Sequence, residues 1–212
     1  MFYQKTMKIL IILICAGIFL LLPYFFLDLA MKTNSDKQAQ LYYNAAKNIA
    51  IIPKTKAHAC ALLSDYYKNL NRNLNLAIKN CEISQKYSKN NMCLLFDLYT
   101  IKGDYNKALE ALEKESASSF QIKAQIYFLK GDTKSAIDIL NQKISKNPTS
   151  FDYAYRANMF DYLGNKEQSK EDYKTAYKIK NPNCPDNQIK QMQKNKNYIF
   201  DKLKEKRKLY GL

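Results

Sequence analysis

The side chains with the most reactive chemistry in this 212-residue chain are a single histidine, His58, and five cysteines. A nucleophilic cysteine or serine needs a base such as histidine beside it, and phosphate chemistry commonly uses a glycine-rich loop. With one histidine the sequence shows no Ser-His-Asp or Cys-His set, and neither common phosphate-loop pattern occurs. We therefore predict no catalytic residues, no cofactor and no enzyme activity.

The sequence also lacks the residue patterns of a zinc site and of a catalytic carboxylate pair. A zinc site usually contains cysteines about two to four residues apart. No such pair occurs, and His58 would supply a single ligand nitrogen. The carboxylates Glu110, Glu113 and Glu115 lie at spacings that a solvated helix face explains. The sequence therefore predicts no metal site, and the function has to come from the elements of the fold.

An apolar segment near the N-terminus, residues 9–31, carries a single charge, Asp28. A helix of about 20 apolar residues crosses a hydrocarbon core of roughly 30 Å, and a soluble helix is rarely apolar on every face. Lys5 and Lys8 favour a cytoplasmic tail at 1–8, and a long domain that follows an anchor is translocated largely regardless of its charge. We predict a single-pass protein of a bacterial inner membrane with its soluble domain in the periplasm.

The alternative interpretation of this segment is a signal peptide that is cleaved. Such a peptide has a shorter apolar region, of about 7–15 residues, and ends in a small-x-small site. The best candidate site ends at Ala30 and has Asp28 where a small residue belongs. A lipoprotein signal at Cys15 is disfavoured because the bulky Ile14 precedes it. Retention as a transmembrane anchor is the preferred prediction.

Beyond the apolar segment, the sequence repeats a pattern built on glycine. A small residue follows each of Gly103, Gly131 and Gly164 at a distance of five residues. An aromatic residue precedes each of these glycines at a distance of four residues. A glycine in this place supplies the left-handed backbone that ends one helix, and small residues let antiparallel helices approach closely. Pro148 and Pro182 end the second helices. We therefore predict an all-α fold of stacked helix hairpins.

This pattern resembles the tetratricopeptide repeat family, whose unit is a helix-turn-helix of about 34 residues. The resemblance is good over 120–148 and 153–182, where the interval from Gly131 to Gly164 is 33 residues. From Gly103 to Gly131 it is only 28 residues, which predicts a first hairpin that is shortened or that packs its successor at an altered angle. The resemblance implies an α-solenoid, a stack of hairpins in which each buries the apolar side of its neighbour.

The hairpin further upstream has an asparagine-rich turn and two cysteines, and it resembles the related Sel1-like repeats. In an antiparallel hairpin that turns near residue 71, Cys60 faces the region around residue 82, so Cys60 and Cys81 come within bonding reach. We hypothesise a disulfide between these two cysteines, with free buried thiols as the alternative. Cys93 and Cys184 have no comparable geometric case.

These observations divide the chain into an anchor at 9–31, a repeat domain at 35–182 and a basic tail at 183–212. The net charge is +15, and the tail concentrates part of it. Its apolar residues share one helical face, so we interpret the tail as an amphipathic capping helix and predict no specific nucleic-acid partner. The apolar residues of that face are Ile189, Met192, Tyr198, Ile199, Leu203 and Leu209.

The first helices of stacked tetratricopeptide hairpins line a concave groove, and the resemblance implies which residues face it here. Their amide, carboxylate and phenol groups suit hydrogen bonding to an extended peptide or a partner helix. We predict a membrane-anchored adaptor that binds protein partners in the bacterial cell envelope. The implied groove positions are Asp97, Gln121, Gln125, Asn158, Asp161 and Tyr162.

Two other functions stay open at this point. One is a secreted, cysteine-containing Sel1-like protein, released after signal cleavage, that binds or modifies cell-wall material. The other is an adaptor that faces the cytoplasm, for which free thiols in the cysteines after Cys15 would be evidence. The sequence leaves the identity of the partner and the oligomeric state open.

Overall fold

The computed structural model describes residues 17–18, 20–33, 35–88, 93–114, 120–179 and 186–212. These residues form twelve helices and no strand, which confirms the prediction of an all-α fold. The described chain divides into two compact units, the first ending at Leu98 and the second beginning at Tyr99. The helices are α1 (20–32), α2 (Asp36–Ile49), α3 (Pro53–Asn69), α4 (Leu74–Tyr87), α5 (Leu95–Lys102), α6 (Tyr105–Lys114), α7 (Phe120–Lys130), α8 (Thr133–Lys146), α9 (Ser150–Tyr162), α10 (Lys166–Lys178), α11 (Asp186–Lys194) and α12 (Tyr198–Lys208).

Glycine ends the first helix of each hairpin in the second unit, as the repeated pattern predicts. Gly131 has a φ of +93°, and its amide donates to the Phe128 carbonyl oxygen (3.0 Å), which closes the last turn of α7. Asp132 then caps α8 by accepting from the Ser135 amide (3.1 Å). Hydrogen bonds from the Ser135 hydroxyl and amide lower the pKa of the Asp132 carboxyl. Turn and cap are therefore encoded by adjacent residues.

The first hairpin of the second unit is short. α5 has 8 residues, whereas α7 has 11 and α9 has 13. The 28-residue interval between Gly103 and Gly131 contains the second helix of this hairpin, α6, which has 10 residues, whereas its counterparts α8 and α10 have 14 and 13.

In the first unit, α3 and α4 form an antiparallel hairpin whose register is fixed by two buried hydroxyls. Ser84 Oγ donates to the Ala57 carbonyl oxygen (2.6 Å), and Ser64 Oγ donates to the Ala77 carbonyl oxygen (2.8 Å). Both alanines are buried, which lets the two helices lie close enough for these bonds. Cys60 on α3 and Cys81 on α4 both lie between these two bonds along the hairpin, so this register puts Cys60 opposite Cys81.

The predicted disulfide between Cys60 and Cys81 is nevertheless wrong. Cys81 is bonded to Cys93, with a Cα–Cα distance of 5.7 Å that lies in the usual range for disulfides, and Cys60 is a buried free thiol. The hairpin register alone does not decide which cysteines pair, because the chain that follows α4 also brings Cys93 close to Cys81. Cys15 and Cys184 lie outside the described residues.

The prediction of a single-pass inner-membrane protein with a periplasmic domain is also wrong. Among the described residues, none of the helices combines the length and the apolar character that a bilayer crossing needs. The end of the apolar segment instead packs on the hairpins: Leu27 in α1 is buried in one cluster with Ala46 and Ala59. Tyr24 and Thr55 share a hydrogen bond of 2.8 Å. Residues 1–16 and 19 lie outside the described part of the chain.

We expect peptide mapping under non-reducing conditions to identify one peptide pair that joins Cys81 to Cys93. Cys60 should resist alkylation in the native protein at neutral pH, because its side chain is buried and burial raises the pKa of its thiol. Denaturant should expose it to complete alkylation. A peptide pair that joins Cys60 to Cys81 would contradict the structure.

Candidate protein-interaction surface

The second unit stacks its hairpins so that the first helices lie side by side. α7 contacts α9, and α11 contacts α9 in turn, while α8 and α10 pair with α7 and α9 from behind. The surface that α7 and α9 form together, here called the α7–α9 face, is the counterpart of the predicted groove. Gln121, Gln125 and Phe128 follow one another along α7 at helical spacing on this face.

Of the six predicted groove residues, Asp97 belongs to a different compact unit from the other five. It belongs to the first unit, which ends at Leu98. Its carboxylate pairs with the ammonium group of Lys68 on α3 at 2.9 Å, and both side chains are largely covered. Asp97 lies in the part of α5 that belongs to the first unit, and its ion pair ties that part of the helix to α3.

Gln121 connects the two helices of the face. Its Nε2 donates to Asp152 Oδ1 at 2.6 Å, near the N-terminus of α9. Asp152 is buried and forms a capping box with Thr149. Gln121 therefore positions α9 relative to α7, whereas Gln125, one turn further along α7, is half-buried.

Asn158 is fully buried beneath α11 and is not open to a partner. Its Nδ2 donates to the carbonyl oxygens of Met192 (3.1 Å) and Asn195 (2.9 Å). These carbonyls lie at the C-terminal end of α11, where helix carbonyls lack partners within the helix. Asn158 thus fastens α11 to α9. Tyr173 lies beside it in the same core, and burial raises the pKa of its phenol, which stays protonated.

The tail folds as two helices where we predicted one. α11 ends near Asn195, and α12 begins at Tyr198 after a turn that hydrogen bonds close. Asn195 Nδ2 donates to Asp201 Oδ2 (2.8 Å), and the Asn197 amide donates to Asn195 Oδ1 (2.9 Å). The asparagine-rich sequence of the turn therefore reverses the chain and returns α12 to the α7–α9 face.

Three aromatic rings fix α12 on the face. The Phe200 ring centroid lies 5.2 Å from that of Phe128 on α7 and 5.0 Å from that of Tyr162 on α9. The Phe128 and Tyr162 rings also pack edge to face at 5.2 Å. Phe128 is 1% exposed as a result, while Tyr162 remains 43% exposed at the edge of the contact. Asp161, its neighbour on α9, is half-buried.

Arg207 fixes the other end of α12. Its Nε donates to the Ile101 carbonyl oxygen (2.8 Å) at the end of α5, and its Nη2 donates to the Tyr105 hydroxyl (3.1 Å). A cation at a helix C-terminus is favoured by the partial negative charge there. The absence of a side chain at Gly103 makes room, since a Cβ there would lie 2.8 Å from Nη2. Gly103 therefore has two roles: it adopts the positive φ of the turn, and it leaves space for the Arg207 guanidinium.

The sequence analysis missed Phe128, Phe200 and Arg207. Phe200 lies outside the apolar face that we identified in the tail, and Arg207 is one of the tail's basic residues. The spacing of seven residues between Phe200 and Arg207 could have indicated that they act together. Residues seven apart, about two turns, lie on the same side of a helix.

Replacing Asn158 by alanine should lower the free energy of unfolding by about 1–3 kcal/mol, because the α11 carbonyls lose their donor in a buried place. Chemical denaturation followed by circular dichroism measures this change. The matched control is Asn106→Ala at an exposed position of α6, for which we expect a change within about 0.5 kcal/mol. Equal effects of the two substitutions would contradict the role assigned to Asn158.

Residues 155–183 match the family model described as tetratricopeptide repeat. No curated protein and no solved structure matches the chain. The matched segment covers most of the α9–α10 hairpin, including the Gly164 turn and the buried Ala157 and Ser169. The Sel1-like features of the upstream hairpin stay a prediction. Repeats of this kind generally serve protein–protein interaction, and the match supports a tetratricopeptide repeat at the α9–α10 hairpin.

Proposed function

We propose that this chain is a helical-repeat adaptor that binds a protein partner on the α7–α9 face and has no catalysis of its own. Stacked hairpins present extended surfaces that suit such binding. One observation carries the proposal: the face already receives a helix, α12, through aromatic packing on Phe128 and Tyr162. The margin of the face beside α12, at Gln125, Asp161 and Tyr162, stays accessible, and a partner helix would pack there.

A helix fits this face better than an extended peptide does. The described occupant is helical, and it contacts the face through side chains. An extended peptide would need polar groups along the face to pair with its backbone. Of the predicted groove residues, Gln121 already bonds to Asp152 and Asn158 to the α11 carbonyls. Gln125, Asp161 and Tyr162 stay at the margins, where they would contact the polar edge of a bound helix.

Site-specific photo-crosslinking in cells that produce the protein tests this proposal. We expect a photo-reactive residue in place of Gln125 to form a discrete adduct with another protein, because Gln125 lies on the α7–α9 face. The control is the same residue in place of Glu167, exposed in the first turn of α10, which should form no such adduct. Tyr162→Ala should reduce the adduct at position 125.

The proposal is wrong if positions 125 and 167 give the same adducts, since contact would then be unselective. It is also wrong if the full-length chain gives no protein adduct at position 125 under conditions in which the crosslinker reacts.

A further inference from the structure

A small cavity, here called the α3–α5 cavity, lies between α3 and the start of α5 within the first unit. Its volume is about 80 Å³, which is enough for several water molecules. Ser64, Cys93 and Leu98 line it and are buried. Asp65 and Leu94 also line it and are exposed, so the cavity opens to solvent. A small molecule can therefore reach the residues inside it.

The two cysteines of the disulfide differ in their access to this cavity. Cys93 lines it, and the Cys93 Sγ lies 3.4 Å from the Oγ of Ser64, another lining residue. Cys81, on α4, is 0% exposed, and the free thiol of Cys60 opposite it is covered to the same degree. A molecule that enters the cavity therefore meets the sulfur of Cys93 before it meets either of the other two.

We propose that the α3–α5 cavity is the entry site of a small thiol, which attacks the Cys93 Sγ and opens the Cys81–Cys93 disulfide. A bond forms between the thiol sulfur and the Cys93 Sγ, and the bond between the two cysteines breaks. The Cys81 sulfur leaves with the electron pair of that bond and takes up the proton of the thiol. The thiol sulfur is oxidised and the Cys81 sulfur is reduced, so the step needs no other redox reagent.

Access to the sulfur selects the reaction and the reagent. Disulfides exchange by attack of a thiolate on one sulfur, and the rate depends on which sulfur the thiolate can reach. A cavity of about 80 Å³ admits the reactive end of a low-molecular-weight thiol. A thiol on a bulky carrier does not fit. The geometry therefore makes Cys93 a modification site for small thiols, a role that goes beyond the adaptor proposal and does not depend on it.

The first unit has contacts that remain when the disulfide is open. The buried hydroxyl groups of Ser64 and Ser84 join α3 to α4, and the Lys68–Asp97 ion pair joins α5 to α3. The helices therefore stay in place, and the Cys81 thiolate stays close to the mixed disulfide. Attack by this thiolate expels the small thiol and restores the original bond. The modification is thus reversible, and it releases the start of α5 from α4 while it lasts.

The test treats the full-length wild-type chain with 2-mercaptoethanol, stops the reaction with acid, and labels all remaining thiols with N-ethylmaleimide in denaturant. Peptide mass mapping then identifies the first product. We expect 2-mercaptoethanol on Cys93, and the maleimide on Cys81 and Cys60. The rate should be the same in buffer and in urea below the unfolding transition, because a reaction that needs unfolding accelerates steeply with urea.

A polyethylene glycol thiol is the size control. It should open the disulfide of the native chain at least about tenfold more slowly than 2-mercaptoethanol does, relative to the rates of the two reagents on the urea-unfolded chain. Equal relative rates on the native chain would show that the cavity does not select the reagent, and the inference would be wrong.

Two matched variants test the access of each sulfur separately. Cys81→Ser leaves the Cys93 thiol at the cavity, and Cys93→Ser leaves the Cys81 thiol in the α3–α4 hairpin. Iodoacetamide should alkylate the first at least about tenfold faster than the second, because only an accessible thiol reacts readily in a folded chain. Both variants lose the same disulfide, so its effect on stability is matched, and circular dichroism checks that their helices are intact. Cys60 is the buried reference thiol in both.

Three results would overturn the inference. One is a first adduct on Cys81 or Cys60, and another is a disulfide that stays closed until urea unfolds the chain. The third is equal alkylation of the two serine variants. A Cys60–Cys81 peptide pair after the treatment would likewise contradict it, because the thiol of Cys60 would then have attacked instead. The adduct at position 125 involves none of these residues, so the adaptor proposal is tested separately.

Discussion

Close contact between antiparallel helices at small, buried side chains is the constraint on which the described fold depends. Ala57 and Ala77 provide it in the α3–α4 hairpin, and Ala157 and Ser169 provide it in the α9–α10 hairpin. A larger side chain at such a point would push the helices apart and separate hydrogen bonds such as that from Ser64 to the Ala77 carbonyl. Because each hairpin then offers its neighbour a defined apolar surface, the stack follows from the pairs.

The sequence predicts this part of the fold well because its signals are local. A glycine with positive φ, a cap such as Asp132 and a small residue at fixed distance all act within one hairpin. The described end of the apolar segment, residues 20–31, was misjudged because local composition does not show whether apolar side chains face other helices or lipid. Leu27 and Ala30 are buried by the fold, and only the tertiary contacts with α2 and α3 reveal it.

The disulfide and the tail show the same limit. The hairpin register brings Cys60 and Cys81 to one level, but the choice of Cys93 depends on where the chain returns after α4. In the tail, amphipathic spacing predicts a helix but not the turn at Asn195 that divides it. Two hydrogen bonds of the Asn195 side chain, to Asp201 and to the Asn197 amide, close this turn. The groove residues follow from resemblance alone, so Asn158 was assigned to a partner although α11 uses its amide.

The contacts of α11 and α12 divide two tasks that one capping helix would combine. α11 completes the stack: it buries Ile189 and Met192 in the core and receives hydrogen bonds from a fully buried asparagine. Removing it would leave that amide without acceptors in an apolar place, which is costly. α12 buries Tyr198 and Ile199 in the same core, and its Phe200 ring and Arg207 guanidinium extend the contact to α7, α9 and the end of α5. Because α11 satisfies a buried amide whereas α12 covers the Phe128 ring, the two helices close the stack by different interactions, hydrogen bonds for α11 and mainly apolar packing for α12.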